Sequence, residues 1–330
     1  MNDRRRVLRT VAGCGATALL PLLAGRAFAQ TFPSRPVRVT TPFSAGSGPD
    51  AALRLVGEHL AKKWGQPVIV DNKPGGGGFI AVSQFKLGGT DGHELIQLDS
   101  NHITTHPHTY KKLPYNVETD FAPLGMLLRT PFFVVVAADS PIRTMDDLIA
   151  KAKAKPDSVF YGSWFVGSPG HIGALRLQTM TGTKMTHVAF RDFGALYGAV
   201  STKEVDWALG SVASAGPLEK AGRLRFIALA SSTRDPQYPT VPATSELPSV
   251  RGFDVSAWAG LFAPKAAPAQ VRDRIAADIA DVLASPAIVE RYRTLGYERP
   301  RMSPVEFTEL IRRETVTWKD VIASANLTLD

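Results

Sequence analysis

The sequence is almost without cysteine. Cys14 is the only one in 330 residues, which excludes an internal disulfide framework and any multi-cysteine zinc site. After position 30 no run of 18 or more apolar residues occurs, so the body offers no hydrophobic stretch of spanning length. The usual catalytic signatures are missing too. Ser47, Ser163 and Ser168 each lack a glycine two residues before, so there is no G-x-S-x-G elbow to anchor a hydrolase reading. There is no P-loop lysine–serine pair. The glycine run 75–78 is followed by Phe79, Ile80 and Ala81, which breaks dinucleotide-loop spacing. What is present is ordinary for a globular chain: 44% apolar and 21% charged residues exclude wholesale disorder. The length suggests two domains, enough to bury about three quarters of the unfolded surface.

The first 29 residues read as an address. Arg4, Arg5, Arg6 and Arg9 form a basic region, 11–24 is mostly apolar or small, and Ala27-Phe28-Ala29 is a small-x-small cleavage pattern. A signal peptide cut near Ala29-Gln30 is expected, with either a twin-arginine or a Sec route. This leader carries five bases and one acid, so it supplies +4 of the chain's net +8. The remaining +4 is mild and gives no argument for nucleic-acid binding. A cysteine-free mature chain suits an oxidising periplasm.

The body alternates β-rich runs with helical patterns. Strands are expected at 37–43, 67–70, 94–98, 133–137, 158–162, 185–190, 205–209, 224–230 and 256–262. Helices are expected at 49–64, 79–86, from Thr144 onward, 168–180, 193–202, 268–283, 286–295 and 304–323. Thr144 and Asp147 match a capping box with Asp in the Glu position. The order β-α-β-α-β implies parallel strands with right-handed crossovers. Two such units, joined by extended crossings, fit a two-lobed clamp. Trp207, Trp258 and Trp318 are expected in the core.

In open parallel sheets, ligands sit beyond the carboxyl ends of the strands. The first loop of this kind is Ser44-Ala45-Gly46-Ser47-Gly48-Pro49-Asp50. It is either an amide nest at a helix N-terminus, suited to a carboxylate, or a tight turn whose glycines only relieve strain. Asp50 is expected to orient its own loop. The second is Ser163-Trp164-Phe165-Val166-Gly167-Ser168, with Ser168 as N-cap and Pro169 in the first turn. The third holds Arg191, a bidentate carboxylate partner or a surface ion pair with Asp192. Asn101 follows the third strand and is a further cleft candidate.

These pieces together resemble the Bug family, the periplasmic solute-binding proteins of tripartite tricarboxylate transporters. The matching segments run the length of the body. They are PFSAGSGPDAALRLV (42–56), DNKPGGGGFIA (71–81), KKLPYNVETDFAPL (111–124), YGSWFVGSPGHI (161–172), VPATSE with the downstream WAGLFAP (241–264), and the final helices around Trp318. The resemblance implies an α/β, two-domain type II periplasmic-binding-protein fold with a ligand cleft between lobes, residues 30–131 plus 254–330 forming one lobe and 132–253 the other. It also implies a monomer that carries a small carboxylate to membrane permease subunits, without cofactor and without catalysis. The chain departs from the family pattern at Trp164 and Phe165, where small residues are usual, and at Phe190-Arg191-Asp192 and Thr202-Lys203-Glu204. The two added rings either offer a stacking face, for which an aromatic carboxylate or dicarboxylate is the expected ligand, or pack locally and only narrow the cleft.

The rival readings are a secreted hydrolase or metalloenzyme, and a ligand sensor for a membrane kinase. The first would need His102, His106 and His108, spaced H-x-x-x-H-x-H near Asp99, to hold zinc or nickel, or a nucleophile outside the known motifs. The plainer reading of that cluster is a polar loop with exposed imidazoles. His171 is expected to be structural or to form a pocket wall.

Overall fold

A computed structural model describes residues 32–164 and 166–329. The leader expected over 1–29 and the candidate Phe165 lie outside the described residues. Among the described residues ten strands form two five-stranded sheets. The first contains β1 (Val37–Thr41), β2 (Val68–Asn72), β3 (Glu94–Asp99), β4 (Phe121–Pro131) and β10 (Ser256–Pro264). The second contains β5 (Phe133–Ala137), β6 (Phe160–Ser163), β7 (Thr186–Ala189), β8 (Trp207–Gly210) and β9 (Leu224–Leu229).

The two sheets share one topology. Their orders are β2-β1-β3-β10-β4 and β7-β6-β8-β5-β9. In each, four strands run in one direction and the fifth is inserted antiparallel, bonded on both sides: β10 between β3 and β4, β5 between β8 and β9. The inserted strand is always the one entered by a crossing from the other sheet. The chain passes from β4 to β5 through Phe132 and returns through residues 253–255. The two crossings are tied together by the Phe132 amide, which donates to the Val255 carbonyl at 3.2 Å.

The parallel order expected of β-α-β-α-β holds for β1, β2 and β3 and for β6, β7 and β8; the antiparallel insertions lie outside that expectation. The reading also places no strand over 121–131 and no helix between 209 and 224, and both exist. Pro123 and Gly125 disguise β4, which tolerates the proline because it is an edge strand. Gly216 and Pro217 disguise helix Val212–Lys220, which starts all the same on a capping box between Ser211 and Ser214.

The local signals that were legible act as expected. In β1 Val37 and Val39 face the core while Arg38 faces out. Helix Gly48–Trp64 buries Leu53, Val56 and Leu60 on one stripe and stops at Gly65, whose φ of 65° is left-handed and whose amide bonds the Ala61 carbonyl. Thr144 and Asp147 form the reciprocal capping box of helix Met145–Ala154. Helices cover both faces of each sheet, giving four apolar clusters. Trp207 and Trp258 are fully buried and Trp318 is 8% exposed. Helix Pro304–Ser324 serves both halves: Phe307 and Ile311 enter a cluster on the first sheet, while Trp318, Val321 and Ile322 enter one on the second. None of the described helices is long and apolar enough to cross a membrane.

Candidate functional site

Because both sheets have the same order, the carboxyl ends of their parallel strands meet at the crossings. A cavity of about 790 Å³ lies there. Loops after β1, β2 and β3 supply Phe43, Gly48, Pro49, Gly75, Gly77, Gly78, Asp99, Asn101 and His102. Loops after β6, β7 and β8 supply Trp164, Val166, Gly167, Phe193, Ser211 and Ser214. Tyr110, Phe132, Tyr297 and Leu329 are also in the wall, with His106 and Thr130 among others. Among the described lining residues there is no lysine or arginine. Negative charge in this space would therefore be met by amides, hydroxyls and imidazole.

The first loop divides its labour. Gly46, at φ 80°, donates its amide to Asp50 Oδ2 at 2.8 Å. Asn72 Nδ2 donates to Asp50 Oδ1 at 2.8 Å and to the Phe43 carbonyl at 2.8 Å, and Arg54 Nε donates to Asp50 Oδ2 at 3.0 Å. Burial opposes ionisation of Asp50, but Arg54, Asn72 and the Gly46 amide together hold its carboxyl below the usual range. Asp50 thus organises the loop from within, and Gly48 and Pro49 are the residues that reach the cavity. Ser44, Ala45 and Gly46 are exposed and stand outside the lining. Ser47 sits at the N-cap, and its Oγ is buried without a hydrogen-bond partner.

The second loop is held from behind in the same way. Ser163 is fully buried and shares a 2.7 Å hydrogen bond with His187 Nε2. Ser168 caps helix Pro169–Thr181 by accepting the His171 amide at 3.3 Å, and the Gly167 amide donates to His171 Nδ1 at 3.0 Å. The His171 and His187 rings stack at 3.9 Å with planes 8° apart. Burial pushes both imidazoles down to about 4, and for His171 the neighbouring His187 adds to it. Trp164 and Gly167 are the candidates from this loop that line the cavity. The Trp164 ring lies over Gly170, where a Cβ would come within 2.6 Å of Cζ3. It packs at 5.5 Å from Phe132 and 5.2 Å from Phe193.

Arg191 is exposed and outside the lining, and it forms no ion pair among the described residues. The reason is local. Asp192 accepts the Ala195 amide at 2.8 Å as N-cap, so helix Phe193–Ser201 begins one residue later and it is Phe193 that meets the cavity.

The reading of the histidine cluster as exposed imidazoles is corrected. Residues 101–105 are buried and helical, and His102 is 7% exposed. His102 Nδ1 shares a 2.5 Å hydrogen bond with Asp99 Oδ1, which also accepts the His102 amide at 3.1 Å. Burial would raise Asp99, but the His102 charge and hydrogen bonds hold it below the usual range. His106 packs at 5.0 Å from His102, and burial, then that neighbour, push it down to about 3. His108 lines a different cavity, so the three imidazoles do not converge. Among the described residues no group of three metal-capable side chains does.

Gly78 explains the glycine run. Its φ is 86°, and a Cβ there would lie 2.0 Å from His102 Nε2, so only glycine fits. Sequence reasoning missed Ser211 and Ser214, although they too follow a strand; Tyr110, Tyr297 and Leu329 left no local signal.

Comparison with known proteins agrees with this geometry. Residues 52–327 match the family described as Tripartite tricarboxylate transporter family receptor. A UPF0065 protein from the tcbD-tcbE intergenic region of a Pseudomonas species is 31% identical over 98% of this chain and 95% of its own length. BugT of Bordetella pertussis is 27% identical over 91% and 92%. Among solved structures, an R. palustris protein with adipate superposes with TM-score 0.76 at 27% identity, covering 90% of this chain and 99% of that one. A Rhodopseudomonas palustris protein with bound malate gives 0.70 at 28%, covering 88% and 100%.

Proposed function

Because the chain belongs to the tripartite tricarboxylate transporter receptor family and has the two-lobed type II binding-protein fold, we propose that it captures a small carboxylate in the periplasm and hands it to membrane permease subunits. The lobes are residues 30–131 with 254–330, and 132–253. The protein acts as a monomer and performs no covalent chemistry. One observation carries this reading: the cavity gathers strand-end loops from both sheets and is lined mainly by uncharged donors and aromatic rings, with no lysine or arginine among the described residues and with its acidic side chain, Asp99, engaged by His102.

Such a space binds an anion through preplaced dipoles. Gly48, Asn101, Ser211 and Ser214 line it with amides and hydroxyls, while Gly167 adds backbone whose amide is held by His171. A ligand spanning them joins both lobes and stabilises the closed form, which is the form a permease can distinguish. Ser44, Ala45, Gly46, Ser47, Asp50, Ser163 and Ser168 shape the two loops that supply these groups, and Arg191, exposed outside the lining, steers anions toward it.

Two of the similar structures hold dicarboxylates, adipate and malate. Here the Trp164, Phe132 and Phe193 rings form one wall, which favours an aromatic carboxylate or dicarboxylate. Thermal-shift screening of the mature protein against malate, adipate, benzoate and terephthalate tests this, since a ligand of the folded state raises Tm by mass action. An aromatic acid is expected to give the largest shift. Trp164→Ala is expected to weaken that acid roughly fivefold while leaving aliphatic acids within twofold, because a well-placed aromatic pair contributes about 1 kcal/mol beyond its buried area. Equal weakening of both classes refutes the stacking assignment; no shift with any organic acid refutes the carboxylate reading.

A further inference from the structure

We propose that Leu329 is a specificity-determining residue of the cleft, the apolar stop that sets how long a carboxylate the cavity accepts; the inference rests on the carboxylate reading above. Helix Pro304–Ser324 ends at Ala325, and Asn326 turns left-handed at φ 50°. The chain then runs back across the cleft. Leu327 packs against the apolar cluster of the second sheet. The Leu329 amide donates to the Thr109 carbonyl at 2.6 Å, and Leu329 bridges Tyr110 in parallel register. Thr109 is itself held, at 2% exposure, by its Oγ1 bond to the Thr105 carbonyl.

The side chain goes the other way. Leu329 lines the cavity, and a Cβ on Gly167 would lie 3.2 Å from Leu329 Cδ1. So the backbone of this residue is fixed to the first-sheet side while its methyl groups press on the second ligand loop. Gly167 is left-handed at φ 84°, which brings its backbone, free of any side chain, against that methyl. The segment 327–329 thus spans the opening between Tyr110 and Gly167.

An apolar wall discriminates by length. Each methylene that must fit against it, or is denied room by it, changes relative affinity by about tenfold or more. The contact that positions Leu329 is a backbone one, so replacing the side chain leaves the segment in place and alters the wall alone.

The test uses the mature protein and isothermal titration with the straight-chain diacids succinate, adipate, pimelate and azelate, together with benzoate and terephthalate. Leu329→Ala is expected to raise the ratio of long to short acid affinity about tenfold. Leu329→Trp is expected to lower it, and this opposite shift separates a wall from a general loss of structure. Wild-type binding with ratios unchanged within twofold in both variants overturns the inference and leaves the carboxylate reading standing. Uniform weakening of every acid by Leu329→Ala also overturns it, since the residue would then latch the lobes without selecting the ligand. A wild-type protein that binds none of the acids overturns both.

Discussion

Acid should loosen the second ligand loop through the His171–His187 stack. His171 Nδ1 accepts the Gly167 amide, so a proton placed on that nitrogen would leave two donors facing one another. Burial already disfavours the charged ring, and a stacked second imidazolium would repel the first. Both pKa values are accordingly pushed down to about 4, against an ordinary value of about 6.5. The unfolded chain therefore binds protons that the folded chain refuses. Stability is full above about pH 6.5 and declines as pH falls toward 4. A depression of about 2.5 units at 1.36 kcal/mol each comes to about 3 kcal/mol for one ring, a large share of the ~5–15 kcal/mol that holds a typical domain. The perturbation is His171→Asn, whose Oδ1 can accept the Gly167 amide and cannot titrate. Urea unfolding between pH 4.5 and 7.5 should show the wild type losing stability with acid more steeply than the variant, by up to about 1.4 kcal/mol per pH unit. His106 and the carboxylates titrate in both proteins and cancel in the difference. Parallel slopes, or an NMR titration that puts the folded His171 ring near 6.5, would refute the clamp.

Glu314 should act with the opposite sign. Its carboxyl is pushed up to about 7 by burial, against the pull of the Trp258 indole N–H at 2.7 Å and of Arg129, so its ionisation costs stability as pH rises from about 4.5 through 7. Glu314→Gln keeps an acceptor for Trp258 and should gain about 2–3 kcal/mol over wild type at pH 8 and nothing at pH 4.5, read by urea unfolding; an equal gain at both pH values contradicts the assignment. Gly78→Ala should lower Tm more than Gly76→Ala. Both positions are left-handed, at a cost of about 1–2 kcal/mol, but only the Gly78 Cβ meets His102 Nε2, at 2.0 Å, while the Gly76 Cβ approaches Ile80 at 3.6 Å. Calorimetry giving equal losses would mean that His102 does not occupy that space.

What the sequence made legible was local. The valines of β1, the leucine stripe of helix Gly48–Trp64 with its Gly65 stop, and the Thr144–Asp147 box depend on neighbours within one or two turns, and the chain carries them in plain form. The sheet order was not legible. β10 pairs Gly260 with Leu98 on one side and with Met126 on the other, partners more than 130 residues away, and nothing in 256–264 announces an antiparallel insertion. The histidine cluster failed for the same reason: residues 101–109 look like a polar loop until helix Pro304–Ser324, two hundred residues later, covers them and the Asp99 carboxylate takes the His102 ring.

The candidate loops show a subtler limit. Glycine and serine content pointed to the right turns, because only a chain free of side chains can fold back so tightly beside a helix N-terminus. Composition does not say which way each group points. In the first loop the Gly46 amide is spent on Asp50, and in the second the Gly167 amide is spent on His171. The very groups that look like anion donors are thus the ones that hold the loops in shape, and the wall is left largely to other residues, Gly48 and Pro49 on one side, Trp164 and, from the loop after β7, Phe193 on the other. A loop that is to present fixed groups to a ligand needs internal partners for its own amides before it can offer any outward. That requirement divides each Gly/Ser turn into a structural half and a contacting half. It also makes buried acceptors such as Asp50 and His171, rather than exposed Arg191, the side chains on which cleft geometry depends.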